Sequence, residues 1–115
     1  MTTTQPVMRR ELLTAIIDGG KSVTKVEIQE VTLNPRINIP LHLHPCPTVG
    51  VVTEGKITFE IEGESTRHLI VGDAFYEPAH VRVAKFNNDA DTPAKFVVFY
   101  LLGEIEKDTV RILEK

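Results

Sequence analysis

The sequence predicts an all-β fold, either a sandwich or a barrel, and three observations support this prediction. Short runs of alternating apolar and polar residues, typical of strands with one buried face, recur along the chain. Glycine and proline turns separate these runs at regular intervals. Helical periodicity is almost absent, and neither a repeat nor a linker divides the 115 residues. A chain of this length folds as one domain with a real core.

The first quarter of the chain leads into the predicted strands. Residues 1–6 are polar and end in proline, which indicates a loose lead-in. Residues 7–17 mix apolar and charged side chains in a pattern that fits a short helix and an edge strand equally well, before a stop at residues 18–20. Residues 22–33 alternate with one phase shift near Thr24, which predicts a strand with a bulge or a bend.

Six further strand patterns follow along the chain. Residues 37–44 alternate, residues 49–53 predict a buried strand, and a hairpin turn at Glu54-Gly55 leads into the regular alternation of residues 56–62. The next strand patterns cover residues 66–71, 74–78 and 81–86.

The C-terminal part differs from these amphipathic strands. Residues 96–102 form an unbroken apolar run, which predicts a strand covered on both faces. Residues 104–115 alternate weakly and predict either an outer strand or a crossing onto a second subunit.

Charge and cysteine content exclude several classes of protein. The net charge is −3, from 13 basic and 16 acidic residues spread along the chain, which argues against nucleic acid as the main partner. One cysteine cannot form an internal disulfide. The sequence has no apolar run of membrane length, and its start lacks the features of a signal peptide, so we expect a cytoplasmic protein with no membrane partner.

The segment around His42 and His44 holds the first candidate for chemistry. Successive side chains on a strand point to opposite faces, so the two imidazoles share a face and Leu43 points away. Two imidazoles on one face can share a metal ion. The alternative is a pair of ordinary histidines on a solvated strand face.

The spacing of these histidines resembles the first motif of the cupin family. The motif consists here of His42-x-His44, then Thr48 after three residues and Gly55 after six more. The second cupin motif is matched in spacing by four positions, which are Gly72, Pro78, Val83 and Asn87.

The resemblance covers residues 22–103, and it implies a jelly-roll barrel of six to eight strands with a pocket inside for a small molecule. It also implies a homodimer in which sheets of two subunits pack or exchange terminal strands. Residues 1–21 are then a lead-in and edge element, and residues 104–115 a C-terminal strand or tail of the same domain.

The resemblance also implies a metal site, which this sequence only partly supplies. Cupins that bind iron, manganese, nickel or zinc typically use two histidines and a glutamate from the first motif and a histidine from the second. His42 and His44 match the pair, but Thr48 stands at the carboxylate position and Val83 at the third imidazole position. A hydroxyl is a poor ligand for these ions and valine cannot ligate at all.

Two other residues are candidates to complete the site. His80 replaces the usual glycine of the second motif, and it either turns inward as a ligand or lies on a surface turn. Cys46 lies two residues after His44, so on a regular strand its side chain would share the face of the histidine pair. It is either a thiolate ligand or an inert buried thiol. His68 lies far from both motifs in sequence and is expected to be exposed.

We also predict a set of pocket-lining residues, namely Thr48, Val83, Phe59, Tyr76 and Lys85. An inward Lys85 would favour a carboxylate or phosphate ligand, whereas a bulge before Asn87 would turn it to solvent. Tyr76 and Tyr100 are each able to offer a hydroxyl donor. Glu77 precedes a proline, as in related cupins, and is either a pocket acid or a solvated turn charge.

Two hypotheses about function remain open. The first is an enzyme, a metal-dependent dioxygenase or isomerase that acts on a small enolic, phenolic or sugar-like compound. The second is a non-catalytic ligand-binding or structural cupin that has lost its metal. The sequence contains no G-x-S-x-G elbow, glycine-rich phosphate loop or H-E-x-x-H helix, which argues against covalent catalysis, phosphate-loop chemistry and a zincin site.

Overall fold

A computed structural model describes residues 6–113 and shows an all-β architecture, which confirms the predicted class. The ten strands of this part of the chain are β1 (Lys25–Leu33), β2 (Ile37–Asn38), β3 (His42–Leu43), β4 (Thr48–Glu54), β5 (Lys56–Ile61), β6 (Arg67–Ile70), β7 (Ala74–Glu77), β8 (Val83–Asn88), β9 (Ala94–Leu102) and β10 (Arg111–Ile112). No helix among the described residues is long and apolar enough to cross a membrane. Part of the predicted lead-in, residues 1–5, and the end of the tail, residues 114–115, lie outside the described residues.

The strands pair antiparallel into two sheets. One sheet has the order β1-β9-β4-β7, and the other has the order β10-β3-β8-β5-β6, with β2 also paired to β8. Within residues 6–113, no strand pairing joins one sheet to the other. The two sheets instead meet through the side chains of their inner faces.

An aromatic cluster forms the centre of the core between the sheets. Phe75 and Phe96 of one sheet meet Phe59 and Phe86 of the other, with ring centroids 4.9 to 5.9 Å apart. Edge contacts between such rings add to the free energy of burial. Phe59 therefore belongs to the core and does not line the cavity described below, which corrects its predicted place among the pocket residues.

A bulge in β8 decides the direction of Lys85. Glu60 and Ile61 of β5 are consecutive, but they pair with Lys85 and Val83, so Ala84 is an extra residue on β8. A bulge of this kind shifts the alternation of the side chains. Lys85 is consequently exposed, with its ammonium nitrogen 3.6 Å from Glu60, and the prediction that it lines the pocket is wrong.

The predicted strand at residues 37–44 is broken into β2 and β3 by Pro40. Proline has no N–H for a ladder hydrogen bond, and it interrupts strands for this reason. The Ile39 N–H turns instead to the side-chain oxygen of Asn87 at 3.2 Å. This break lets the chain bend so that β3 begins at His42.

The long strand β9 is covered on one face only. Its buried residues alternate with half-buried ones such as Val97 and Phe99, which contradicts the prediction of two covered faces. The reason lies in the N-terminal segment. Residues 7–17 form neither a helix nor a strand, and only Leu12 and Leu13 with their neighbours lie over this outer face.

The C-terminal tail returns to the six-stranded sheet as an outer strand. Arg111 pairs with Leu43 and Ile112 with His42, and the Leu113 N–H donates to the Leu41 carbonyl at 2.9 Å. We call residues 104–113 the strap, because they run from the end of β9 across one end of the space between the sheets.

Candidate metal centre and cavity

A cavity of about 290 Å³ lies between the two sheets. Most of its wall is apolar, and its polar groups include a cluster at one end. The lining residues are Gln29, Val31, Leu33, Ile39, His42, His44, Glu77, Phe86, Phe96, Val98, Tyr100, Val110 and Ile112. Such a cavity, apolar with a few convergent polar groups, is typical of a small-molecule site.

Three of the polar side chains form a cluster that could hold a metal ion. Their candidate ligand atoms, one each from His42, His44 and Glu77, lie within 4.8 Å of one another. All three side chains are buried. Two imidazoles and one carboxylate form the set of ligands found at many iron(II) and zinc sites.

The strand register explains how Glu77 reaches the histidines. Glu77 ends β7 and pairs directly with Thr48, the first residue of β4. Side chains of directly paired residues lie on the same face with their Cβ atoms about 5 Å apart. Glu77 therefore brings a carboxylate to the place where the cupin resemblance implies one at Thr48.

Backbone carbonyls fix the orientation of both imidazoles. Nδ1 of His42 lies 2.9 Å from the Pro40 carbonyl oxygen, and Nδ1 of His44 lies 2.6 Å from that of Thr109. A carbonyl only accepts, so each Nδ1 must carry the proton that it donates. In the neutral imidazole Nε2 then holds the free lone pair, as in a typical metal-ligating histidine.

Glu77 gives a direct test of whether a cation fits this cluster. Its Oε1 lies 3.3 Å from Nε2 of His44, whereas its buried Oε2 has no hydrogen-bond partner within residues 6–113. Buried polar atoms normally have partners, and an unpaired one is costly. A divalent cation between the carboxylate and the imidazoles would satisfy this atom, so the residues fit a metal ion.

The pKa values of the two histidines shift in opposite directions, because His44 has a hydrogen bond to the carboxylate of Glu77 and His42 does not. Burial lowers the pKa of His42, and the hydrogen bond to Pro40 only partly offsets it. Burial also acts to lower the pKa of His44, but the hydrogen bond and the charge of Glu77 outweigh it and the net shift is upward. The carboxylate of Glu77 therefore favours a positive charge beside it, which either a proton on His44 or a bound cation would supply.

Tyr100 adds a hydroxyl group to the polar end of the cavity. Its ring centroid lies 5.6 Å from that of His44. Burial, followed by the charge of Glu77, raises the pKa of Tyr100 to about 12. The phenol consequently keeps its proton at neutral pH, and its hydroxyl is able to donate a hydrogen bond to a molecule in the cavity.

Thr48 and Val83 are fully buried but lie outside the cavity wall. The Thr48 hydroxyl donates to the Cys46 carbonyl at 3.1 Å, so it is occupied elsewhere. Val83 pairs with His42 across the β3–β8 ladder and packs in the core cluster. The prediction that they line the pocket is therefore corrected, and each instead pairs across a ladder with a candidate ligand, Thr48 with Glu77 and Val83 with His42.

Cys46 and His80 do not join the ligand group that the described residues form. Cys46 is fully buried in the core, and burial raises the pKa of its thiol, which disfavours the thiolate that a metal needs. His80 is exposed with a left-handed φ of 70°, and its N–H donates to the His44 carbonyl at 2.8 Å. Its backbone supports the site, but its side chain lines a separate surface cleft.

Tyr76 lies in the same surface cleft as His80 and not in the cavity. Glu77, which is not among the predicted ligands, lies on the opposite face of β7 from Tyr76. Phe75 and Glu77 share the buried face, and Tyr76 points to the other side. Parity with Phe75 is the sequence signal that places Glu77 inside.

Comparisons with known proteins agree with this fold. Residues 29–100, more than half of the chain, match the sequence profile of the cupin domain. A search of curated proteins finds no match. Among solved structures, the DMSP lyase DddQ from Ruegeria pomeroyi superimposes with a TM-score of 0.65 at 22% identity, over 76% of this chain and 42% of that one.

Two further structures show the same likeness. A cupin-like protein from Thermotoga maritima has a TM-score of 0.64 at 20% identity, over 76% of this chain and 64% of that one. A sugar phosphate isomerase of the cupin superfamily from Silicibacter pomeroyi has a TM-score of 0.59 at 27% identity, over 74% and 54%.

The chain spans less than half the length of the DMSP lyases that it resembles. Their activity is therefore not carried over with the fold. The two-sheet architecture, the motif spacing and the profile match over residues 29–100 lead to one conclusion about family. The chain belongs to the cupin domain family and has an all-β cupin fold.

Proposed function

We propose that this protein binds one divalent metal ion through His42, His44 and Glu77, and binds a small organic molecule in the cavity beside it. The observation that carries this proposal is the buried Oε2 of Glu77, which has no hydrogen-bond partner within residues 6–113 and belongs to a cluster with His42 and His44 whose candidate ligand atoms lie within 4.8 Å of one another. Each imidazole is already oriented by a backbone carbonyl, so little reorganisation is needed for binding.

The reaction class that fits best is a metal-dependent isomerisation or oxygen-dependent cleavage of a small molecule. A set of two imidazoles and one carboxylate leaves coordination positions open, and this arrangement is typical of iron(II) oxygenases. When bound, the ion would supply Lewis-acid polarisation of a substrate oxygen. We propose iron or manganese as the physiological ion, with nickel and zinc as ions that the same ligands accept.

The cavity wall limits the chemistry of the organic ligand. No lysine or arginine among the described residues lines the cavity. Lys85, the cation predicted there, points to solvent. A phosphate group would have no cationic side chain to pair with there. The apolar wall favours an uncharged enolic or phenolic compound, whose oxygen lies at the His42 end and whose body contacts Val98 and Phe86.

Two side chains of the site have separate roles towards such a ligand. The Tyr100 hydroxyl, which keeps its proton at neutral pH, donates a hydrogen bond to a ligand oxygen. Glu77 contacts Nε2 of His44 at 3.3 Å and keeps this imidazole in place. Both groups are buried, so water does not compete for them.

A non-catalytic ligand-binding protein is the second candidate. The observation that favours it is the absence of a ligating side chain at Thr48 and Val83, which leaves three protein ligands for the ion. The apolar part of the cavity would bind a small molecule even without metal. The cytoplasmic location inferred from the sequence is compatible with both candidate functions and stays a prediction.

Metal content separates the two candidates. Protein purified without an affinity tag is assayed by elemental analysis, together with His42→Ala and the control His68→Ala, whose side chain is exposed on β6. We expect about one ion per chain in the wild type and the control, and little in His42→Ala. Metal-free wild type that also fails to take up iron, manganese, nickel or zinc would leave only the non-catalytic candidate.

A further inference from the structure

The strap contacts two of the three candidate metal ligands. Ile112 pairs directly with His42 across the ladder between β3 and β10. The Thr109 carbonyl accepts a hydrogen bond from Nδ1 of His44 at 2.6 Å, although Thr109 lies 65 residues further along the chain. The orientation of the His44 ring therefore depends on where a distant segment of the chain lies.

Few contacts hold the strap on the sheet. Most of its side chains are exposed, and β10 contributes only two residues to the ladder. One further backbone hydrogen bond runs from the Leu113 N–H to the Leu41 carbonyl at 2.9 Å. Segments with few buried contacts open locally at a low cost in free energy. An attachment near the start of the strap therefore affects the fraction of molecules in which the strap is docked.

An ion pair between Lys21 and Glu106 is such an attachment. Only 20% of the Lys21 side chain and 7% of the Glu106 side chain are exposed, and the Glu106 carboxylate also accepts from the Gly103 N–H at 2.9 Å. A pair withdrawn from water in this way is screened less by salt than an exposed pair. A second ion pair, between Arg111 and Asp108, joins two residues within the strap and is about half exposed, so it does not hold the strap to the rest of the protein.

We propose that Lys21 and Glu106 are positioning residues for the metal centre, because their ion pair keeps the strap docked and the docked strap fixes the His44 ring with Nε2 free to ligate. The inference rests on the proposed function in taking His44 as a metal ligand. Neither Lys21 nor Glu106 lines the cavity. Both lie outside residues 29–100, which match the cupin profile, so this attachment belongs to the flanking segments of the chain.

The chemistry of the imidazole explains why the position of the strap affects metal binding. A neutral imidazole carries one proton, on either Nδ1 or Nε2. Without the Thr109 carbonyl, a proton on Nδ1 of His44 loses its acceptor, whereas a proton on Nε2 can be donated to Oε1 of Glu77, 3.3 Å away. That second arrangement occupies both atoms that an ion needs. An open strap should therefore weaken metal binding, and by reciprocity a bound ion should favour the docked strap.

Calorimetric titration of the metal-free full chain with Mn²⁺ tests the effect on affinity. In Lys21→Met and in Glu106→Gln we expect the affinity to fall about tenfold, as on loss of an outer-shell partner. The double variant should lose no more than either single variant, because both residues act through one ion pair. Lys21→Arg, which retains the charge, should bind as the wild type does. Asp108→Asn is the matched control, since it removes a strap carboxylate that does not anchor the strap.

Hydrogen exchange of the Leu113 amide, followed by mass spectrometry on a peptide that contains it, tests the reciprocal effect. This amide is hydrogen-bonded to Leu41 only while the strap is docked. We expect Glu106→Gln to speed its exchange and Mn²⁺ to slow its exchange in the wild type. If the ion pair stabilised the strap without any effect on the metal centre, Mn²⁺ would leave the exchange rate unchanged.

Circular dichroism verifies that each variant is folded, and the two single variants test the same ion pair independently. The inference is supported when both lose affinity for Mn²⁺, Asp108→Asn does not, and Mn²⁺ protects the Leu113 amide. It is overturned when a wild type that binds Mn²⁺ is matched in affinity by both variants, when Asp108→Asn loses as much as Glu106→Gln, or when Mn²⁺ gives no protection. A wild type that binds no Mn²⁺ overturns the proposed function and this inference with it, so the two failures are distinguishable.

Discussion

Glu77 shows how much one strand pairing can matter to a site. The position directly across from it, Thr48, is where the cupin motif leads one to expect the carboxylate. A glutamate side chain on the neighbouring strand reaches the same imidazoles, with Oε1 3.3 Å from Nε2 of His44. The site thus keeps a carboxylate although the first motif lacks one.

Tyr100 gives the site a measurable pH signature. Its pKa of about 12 lies above the ordinary value of 10.0, so the unfolded chain loses this proton first as the pH rises. The folded state then binds more protons than the unfolded state, and the free energy of unfolding falls between about pH 10 and pH 12, by about 2 to 3 kcal/mol in all.

Urea unfolding at a series of pH values tests this expectation. In Tyr100→Phe the fall should be smaller than in the wild type, because the buried titrating group is gone. Tyr76→Phe, which alters a half-buried tyrosine outside the cavity, should retain most of the fall. An equally steep fall in Tyr100→Phe would show that Tyr100 does not titrate in this range.

The histidine pair could be predicted from sequence because alternation along a strand depends only on local backbone geometry. The sequence leaves two roles open for Glu77, because the proline after it also fits a solvated turn. Its burial depends on the β4–β7 register, which brings residues about thirty positions apart together. The same register excludes Tyr76 from the cavity.

At the scale of elements, Gly50 of β4 lies in tight contact with the side chain of Phe75 on β7. A Cβ atom on Gly50 would lie 2.4 Å from Cζ of Phe75 and 2.9 Å from the Val97 carbonyl oxygen. We expect Gly50→Ala to lower the free energy of unfolding by about 1 to 3 kcal/mol through overpacking.

Chemical denaturation of a double-mutant cycle with Phe75→Leu measures this contact. The smaller side chain removes part of the clash, so Gly50→Ala should cost at least about 0.5 kcal/mol less in that background than in the wild type. Strictly additive costs would mean that Phe75 is not what restricts position 50.

Strand positions could be predicted where apolar and polar residues alternate regularly. They could not be predicted where a proline or a bulge interrupts a strand. The predicted turn at Gly55 is present, with a left-handed φ of 73° at the glycine, but β4 and β5 lie in different sheets and do not pair, so the prediction of a hairpin is wrong. Pro40 divides one predicted strand into β2 and β3. The extra residue at Ala84 turns Lys85 outward. A prediction that counts alternate residues from Val83 cannot reveal such a bulge.

At the scale of the whole molecule, the outer face of the four-stranded sheet is unusually apolar. Val26 and Ile28 on β1 are exposed, and their pairing partners Leu101 and Phe99 on β9 are half-buried. The resemblance to cupins implies a homodimer, and this face is the surface that we expect it to use. Burying such a patch between two copies would be favourable.

Light scattering after size-exclusion chromatography tests the dimer. We expect wild-type protein to be dimeric and Ile28→Lys to be monomeric, since a lysine there would place a charge in the interface. Ile70→Lys is the matched control, because Ile70 is 54% exposed on the other sheet and Ile28 is 59% exposed. A monomeric wild type, or an Ile28→Lys variant that stays dimeric, would rule out this face as the interface.

The overall fold could be predicted because the spacings of the two motifs together determine the order of strands and turns. His42, His44 and Gly55 in one segment and Gly72 and Pro78 in the other fix strand and turn positions over much of the chain. The half-covered β9 and the irregular residues 7–17 were not predictable, since they depend on how chain segments pack over a sheet face.

The most direct test of the account concerns the carboxylate of Glu77. Calorimetric titration of metal-free protein with Mn²⁺ and, under anaerobic conditions, with Fe²⁺ compares the wild type with Glu77→Gln. The control is Glu62→Gln, which removes an exposed carboxylate paired with Arg82.

We expect one ion per chain in the wild type and the control. In Glu77→Gln the affinity should fall by more than the roughly 10- to 100-fold that loss of an outer-shell partner causes. Equal metal affinity in Glu77→Gln and the wild type, or no binding by either, would contradict the account.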